Sequence, residues 1–174
     1  MQAIFYLISH SLFKQFKMFR KTHKYIFLIL GLALFSSCGF NYTYNEIVEI
    51  EDAKWYKDEI AHFEVEINDS LGSQNFILNL RNNTDYRYSN LFIFMTTYFP
   101  NGNVTRDTIE CVLADQTGRW LGKGWSNIKE NEILLKSDLR FPLTGKYEFY
   151  IQQAMRQDTL EGIESVGLII EKAN

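Results

Sequence analysis

The chain has 174 residues, with 18 Lys and Arg against 21 Asp and Glu and a formal net charge of −3. The charges are unevenly placed: the first acidic residue is Glu46, whereas Lys14, Lys17, Arg20, Lys21 and Lys24 all precede residue 38. From residue 38 onward, 137 residues hold 13 basic and 21 acidic side chains, a net charge of −8, which excludes a phosphate-tracking nucleic-acid surface and purely electrostatic adhesion to anionic lipid.

The first element in chain order is "MFRKTHKYIFLILGLALFSSCGF", Met18 to Phe40. Arg20, Lys21 and Lys24 form a cationic head, Tyr25 to Phe35 is an apolar run interrupted only by Gly31, and Ser36 and Ser37 precede Cys38. This is the layout of a secretory signal, and the run has about half of the ~20 apolar residues that a membrane-spanning helix needs. The box Leu34-Phe35-Ser36-Ser37-Cys38 resembles a bacterial lipoprotein signal, with Phe35 where an aliphatic residue is usual. That resemblance implies cleavage before Cys38, a diacylglycerol on its sulfur, and attachment to the lipid bilayer through acyl chains. Each buried methylene then adds about 0.8 kcal/mol of membrane affinity. Gly39, rather than Asp, follows the cysteine and by the same resemblance implies passage to the outer membrane. A start at Met18 gives a signal of ordinary length, so Met18 rather than Met1 is the expected initiator. The expected organisation is a signal peptide over 1–37, a lipidated tether over 38–45 and one domain over 46–174.

Within the domain the apolar residues recur with a period of two. In "HFEVEIN", Phe63, Val65 and Ile67 alternate with Glu64 and Glu66, the pattern of a half-buried strand. "NFILNLR" places Phe76, Leu78 and Leu80 on one face. "LFIFMTTYF", Leu91 to Phe99, is apolar on both faces at its start and reads as a central strand covered on both sides. "PNGN", Pro100 to Asn103, signals a hairpin, with a return strand over Val104–Leu113. "ADQTGRWLGKGW" reads as a glycine-rich loop, "NEILLKS" as a short strand or helical turn, and "RQDTLEGI" as a link. Tyr147, Phe149 and Ile151, then Val166, Leu168 and Ile170, mark two more inward-facing sets. Several short strands with turn signals between them predict an all-β fold, a single β-sandwich of jelly-roll or Greek-key type.

The blocks "YSNLFIFMTTYFPNG", "DTIECVLADQTGRWLGKG", "FPLTGKYEFYIQQAMR" and "LEGIESVGLIIEK" resemble successive parts of the gliding motility lipoprotein GldH family. The resemblance runs from about Asn45 to Lys172. It implies a Bacteroidota envelope lipoprotein required for gliding and linked to the machinery that exports and moves surface adhesins. It implies no catalytic residues.

The residues themselves offer little chemistry. His62 is the one histidine beyond the signal, so a Ser-His-Asp triad has a single candidate base, on the polar face of a strand. Glu148, Asp115 and Glu110 are the carboxylates available to a glycosidase-type pair. "GRWLGKG" lacks the spacing of a phosphate loop. Cys111 is expected as a small buried apolar residue, and no metal site, cofactor or enzymatic activity is expected. A candidate interaction patch comprises Asp115, Trp120, Lys123 and Trp125, with Arg156 joining from a strand end; two tryptophans beside polar groups suit a protein contact or the stacking of a sugar. The triplets Asp69-Ser70-Leu71, Asp107-Thr108-Ile109 and Asp158-Thr159-Leu160 resemble an O-glycosylation signal of exported proteins. Ser70 and Thr159 are expected in loops and Thr108 in a strand. The expected function is an outer-membrane lipoprotein facing the periplasm, a non-catalytic scaffold or interaction component contacting other gliding or secretion proteins. The alternative is a carbohydrate-binding module.

Overall fold

The structure is a computed structural model that describes residues 42–173. The expected export signal, the expected initiator Met18, Cys38 and residues 38–41 of the expected tether lie outside the described residues. The strands are β1 (Tyr42–Glu49), β2 (Lys54–Tyr56), β3 (Ala61–Ile67), β4 (Gln74–Asn83), β5 (Asn90–Tyr98), β6 (Val104–Val112), β7 (Ile128–Leu139), β8 (Gly145–Gln153), β9 (Thr159–Glu161) and β10 (Ile163–Lys172). They form two four-stranded sheets, β1-β10-β4-β7 and β3-β8-β5-β6, and a small ribbon, β2-β9.

One rule organises the pairing. β1 pairs with β10, β2 with β9, β3 with β8, β4 with β7 and β5 with β6, all antiparallel. The chain is therefore one long antiparallel ribbon, doubled back at the β5–β6 hairpin and rolled so that β4 also meets β10 and β5 also meets β8. That is the eight-stranded jelly roll with one extra short pair, which resolves the two sandwich types left open by the sequence. The hairpin has Gly102 at φ 82°. Phe99 N–H donates to Asn103 O at 2.9 Å and Gly102 N–H donates to Phe99 O at 2.9 Å. A glycine meets this left-handed backbone without the Cβ penalty.

The alternation in sequence becomes the core. Phe63, Val65 and Ile67 of β3, Leu91, Ile93 and Met95 of β5, and Tyr147, Phe149 and Ile151 of β8 face Phe76, Leu78 and Leu80 of β4 and Val166, Leu168 and Ile170 of β10. Phe76 and Phe149 touch across the sheets with ring centroids 5.1 Å apart. Trp55 on β2 is fully buried, with its indole N–H donating to Glu59 O at 3.1 Å. Each buried side chain of this size contributes about 1.5–3 kcal/mol.

Four expectations change. β1 starts at Tyr42, so residues 42–45 of the expected tether are strand. β7 is a twelve-residue strand where a short strand or turn was expected. The link "RQDTLEGI" contains β9. β5 lies inside its sheet, but among the described residues no second layer covers its outer face. Phe92 and Phe94 are half-buried there, with the Arg106 guanidinium 4.4 Å from the centre of the Phe94 ring.

The registers define two ends. Tyr42 pairs with Glu171, Lys172 with Gln74, Gln74 with Leu139, and Ile67 with Gly145. This end, the Tyr42 pole, carries the connections 68–73, 99–103 and 140–144. The opposite end carries the connections 50–60, 84–89, 113–127 and 154–162 and is called the Trp125 pole. Leu78→Ala should lower the unfolding free energy by about 2–5 kcal/mol in urea titrations, whereas Leu134→Ala, on the outer face and 55 % exposed, should change it by under about 0.5 kcal/mol; equal losses would contradict this core assignment.

Candidate interaction surfaces

The connection between β6 and β7 bridges an edge strand of each sheet. Leu121 N–H donates to Leu113 O at 2.9 Å, which ties the loop to the end of β6. Lys123 and Glu130 exchange backbone hydrogen bonds at 2.9 and 2.8 Å, which ties it to β7. Two glycines permit this approach. A Cβ on Gly122 would lie 2.7 Å from Asn131 Oδ1, and one on Gly124, at φ 152°, would lie 2.2 Å from Ile128 O. Asn131 is itself buried and fixed, its Nδ2 donating to Leu80 O at 3.1 Å and Asn82 Oδ1 at 2.9 Å. The loop is thus seated on a polar latch between β4 and β7. Beyond Gly124, Lys129 Nζ donates to the carbonyls of Gly124 (3.1 Å) and Ser126 (3.0 Å) and closes the tip.

Within this loop the expected patch residues take different roles. Asp115 organises a tight turn: its Oδ1 accepts from Thr117 Oγ1 at 2.7 Å, Thr117 N–H at 2.9 Å and Arg119 N–H at 3.0 Å, and its Oδ2 pairs with Arg119 Nε at 3.1 Å. The Thr117 hydroxyl, the backbone N–H groups and the Arg119 charge hold its carboxyl down at about 2. Trp120 is half-buried against the core. Lys123 is exposed and its backbone holds the loop to β7. Trp125 is fully exposed, at 106 % of the reference area, on the tip that Lys129 closes. Leu121 beside it is 53 % exposed. Arg156 is exposed in the β8–β9 connection. Ala154 N–H donates to Phe92 O and Leu113 N–H to Ser89 O, so the two connections leave the same end of β5 on opposite sides of it.

The three triplets also separate. Ser70 is half-buried in the 68–73 turn, where Asp69 Oδ1 accepts from Leu71 N–H at 2.9 Å and Gly72 N–H at 3.2 Å. Thr108 is exposed on β6. Thr159, expected in a loop, is the first residue of β9 and pairs with Tyr56.

A polar cluster that sequence reading missed lies on the outer face of the β3-β8-β5-β6 sheet. Register brings Glu64 opposite Glu148 and His62 opposite Tyr150. Lys146 Nζ contacts Glu64 Oε1 at 2.9 Å and Glu148 Oε1 at 3.1 Å. Tyr150 OH donates to Glu148 Oε2 at 2.8 Å, and the His62 ring stacks on Tyr150 at 4.3 Å. The Tyr150 hydroxyl, then Lys146, lower the Glu148 pKa; the hydrogen bonds to Glu64 and Glu148 raise that of Lys146. Ligand atoms of His62, Glu64 and Glu148 lie within 4.8 Å of one another, a spacing suited to a cation, but the Lys146 ammonium already lies between the two carboxylates. Two of the carboxylates weighed for glycosidase chemistry, Glu148 and Glu110, do not form such a pair. Glu148 stands opposite Tyr98 and Glu110 opposite Phe92. Six residues of β5 separate those two sites, roughly 20 Å, beyond the ~5–9.5 Å of a glycosidase pair. Cys111 is fully buried, and burial pushes its thiol up to about 12.

The strand order defines the class: a jelly-roll β-sandwich. The chain belongs to the GldH lipoprotein family, whose family model matches residues 42–170, nearly the whole sandwich. It is 39 % identical over 162 residues to the "Gliding motility lipoprotein GldH homolog" of Christiangramia forsetii, covering 89 % of this chain and 99 % of that protein. It is 34 % identical over 152 residues to the "Gliding motility lipoprotein GldH" of Flavobacterium johnsoniae, covering 83 % and 94 %. Solved structures that align with it include TmCBM61 in complex with β-1,4-galactotriose, at 14 % identity and a TM-score of 0.26 over 74 % of this chain and 78 % of that one. Dimeric latent PorU from Porphyromonas gingivalis aligns at 9 % identity and 0.33 over 80 % and 14 %. Neither score carries a functional assignment.

Two outcomes follow from the loop geometry. Gly124→Ala should cost about 1–3 kcal/mol in urea unfolding, because backbone must shift to admit the methyl group, while Gly118→Ala, whose Cβ would meet nothing within 4 Å, should cost only the strain of its positive φ, about 1 kcal/mol. The Asp115 carboxyl should titrate near 2 by NMR. Its folded pKa lies below the ~3.9 of a free aspartate, so its contribution to stability is present above about pH 4 and is lost as pH falls toward 2. A midpoint in the ordinary aspartate range would contradict the turn described here.

Proposed function

We propose that the chain is a lipoprotein of the outer membrane, held by acyl chains on Cys38 and facing the periplasm, that serves gliding motility as a non-catalytic docking component of the motility and adhesin-export machinery. Membership of the GldH family and the names of its relatives support the motility role and the lipid anchor. The observation that carries the docking role is Trp125. A fully exposed tryptophan on a loop latched to β7 is an aromatic anchor presented without the entropy cost of ordering a mobile segment. Of the expected patch Trp125 and Lys123 are kept and exposed Leu121 is added, because Asp115 and Trp120 are engaged in holding the loop and Arg156 lies in a connection on the other side of β5. Of the Asp-Ser/Thr-aliphatic triplets, Thr108 and Thr159 are read as modification positions, with Thr108 the more accessible; an unmodified tryptic peptide Asp107–Arg119 from envelope material would contradict the reading at Thr108.

Cys38→Ala should move the protein from the membrane to the soluble fraction of a gliding cell and stop its movement. Trp125→Ala should leave unfolding free energy within about 0.5 kcal/mol of the parent, yet reduce gliding and the protein's crosslinks to motility components in intact cells. Normal gliding with unchanged crosslinks would overturn the docking role. A saturable quench of tryptophan emission by envelope oligosaccharides, lost in Trp125→Ala, would instead establish the carbohydrate-binding alternative.

A further inference from the structure

We infer that the Tyr42 pole of the sandwich lies against the bilayer, with Leu71 inserted among the lipid headgroups; this rests on the reading of Cys38 as the lipidated residue. Three residues, Gly39, Phe40 and Asn41, separate Cys38 from the first residue of β1. Four Cα–Cα steps span at most about 14 Å. β1 then runs away from that pole for eight residues, roughly 25 Å. A sulfur fixed at the lipid surface by so short a link brings the Tyr42 pole close to the bilayer and keeps the Trp125 pole away from it.

The chemistry of the pole fits that surface. Leu71 is 83 % exposed, at the tip of a turn whose neighbours Leu71 and Gly72 both donate to Asp69. Tyr42 at the start of β1 is 40 % exposed, and Pro100 and Pro142 project from the adjoining connections. Pro100 is joined to the pole through Gly145, whose Cβ would meet the proline ring at 3.2 Å. The connections 68–73, 99–103 and 140–144 contain one carboxylate, Asp69, which is engaged in its own turn, and one cation, Arg140. At the Trp125 pole, the 50–60 connection alone carries Glu51, Asp52, Asp58 and Glu59. In a domain of net charge −8, the end with the less acidic loops, with Asp138 and Glu171 at its strand ends, is the one the tether draws to the membrane. An apolar tip flanked by a tyrosine and proline rings matches the mixed polarity of a headgroup layer.

The test uses full-length lipidated protein with Leu71→Cys labelled by an NBD maleimide. Cys111 is fully buried and the Cys38 thiol is consumed by lipid, so the label goes to position 71. Gln116→Cys, exposed at the opposite pole, serves as the control. In vesicles of phosphatidylethanolamine and phosphatidylglycerol, the label at 71 should brighten several-fold, shift to the blue and be quenched by nitroxide-bearing lipid, with the label at 116 unchanged. Protein that floats with the vesicles while the label at 71 keeps its aqueous spectrum would overturn the inference and leave the anchor reading standing. Protein that fails to float would overturn the anchor reading and this inference with it.

Discussion

Every other feature of this fold depends on antiparallel pairing along a doubled chain. The turn at Asn101 and Gly102 sets β5 beside β6, and each later strand finds its partner at the matching distance on the other side of the turn. A ribbon of this kind cannot bury its apolar face while flat. Rolling brings β4 against β10 and β5 against β8, and the two inner faces then close on Phe76, Phe149 and their neighbours. The last strand to pair is β1 with β10, so the residues that leave for the tether are fixed at one pole by the same winding that forms the core.

That winding also explains how a loop comes to present a rigid tip. β6 and β7 are edges of different sheets, and the 113–127 connection has to span them. It does so by taking backbone hydrogen bonds from both, seated on the buried Asn131–Asn82 pair. Gly122 and Gly124 are required there by contact distance, not by flexibility. Asp115 and Trp120 are spent on the loop's own structure: one closes a turn, the other covers the core. Trp125 is left with no such duty, which is why it alone of the patch has a whole ring free for a partner.

Sequence periodicity made β3, β4, β5 and β8 legible because each turns one face to the core, as where Phe63, Val65 and Ile67 alternate with glutamates; β10, buried continuously over Ser165–Ile170, was legible as an apolar run. It failed at the margins for the same reason. β1 is an edge strand whose residues are mostly exposed, so Tyr42–Glu49 carries no clean alternation. β7 is an edge as well, and its exposed Leu134 blurs the pattern. β2 and β9 are three residues each, too short to show a period at all. The His62, Glu64, Lys146, Glu148 and Tyr150 cluster was invisible because its members sit on β3 and β8, far apart in the chain and joined only by register. The tryptophans were legible as a patch, but which of them was free depended on what the loop leaned against. The hairpin could be read locally, since Asn-Gly carries its own backbone preference.

The proposed function rests on a thioether at Cys38, separated by three residues from a domain whose two ends differ in chemistry. Intact mass spectrometry of the protein purified from the envelope of its own cells tests that claim most directly. The account predicts a mature chain beginning at Cys38 and carrying a diacylglycerol with one further acyl group. A chain that retains residues before Cys38, or one whose first residue is an unmodified cysteine, would contradict it.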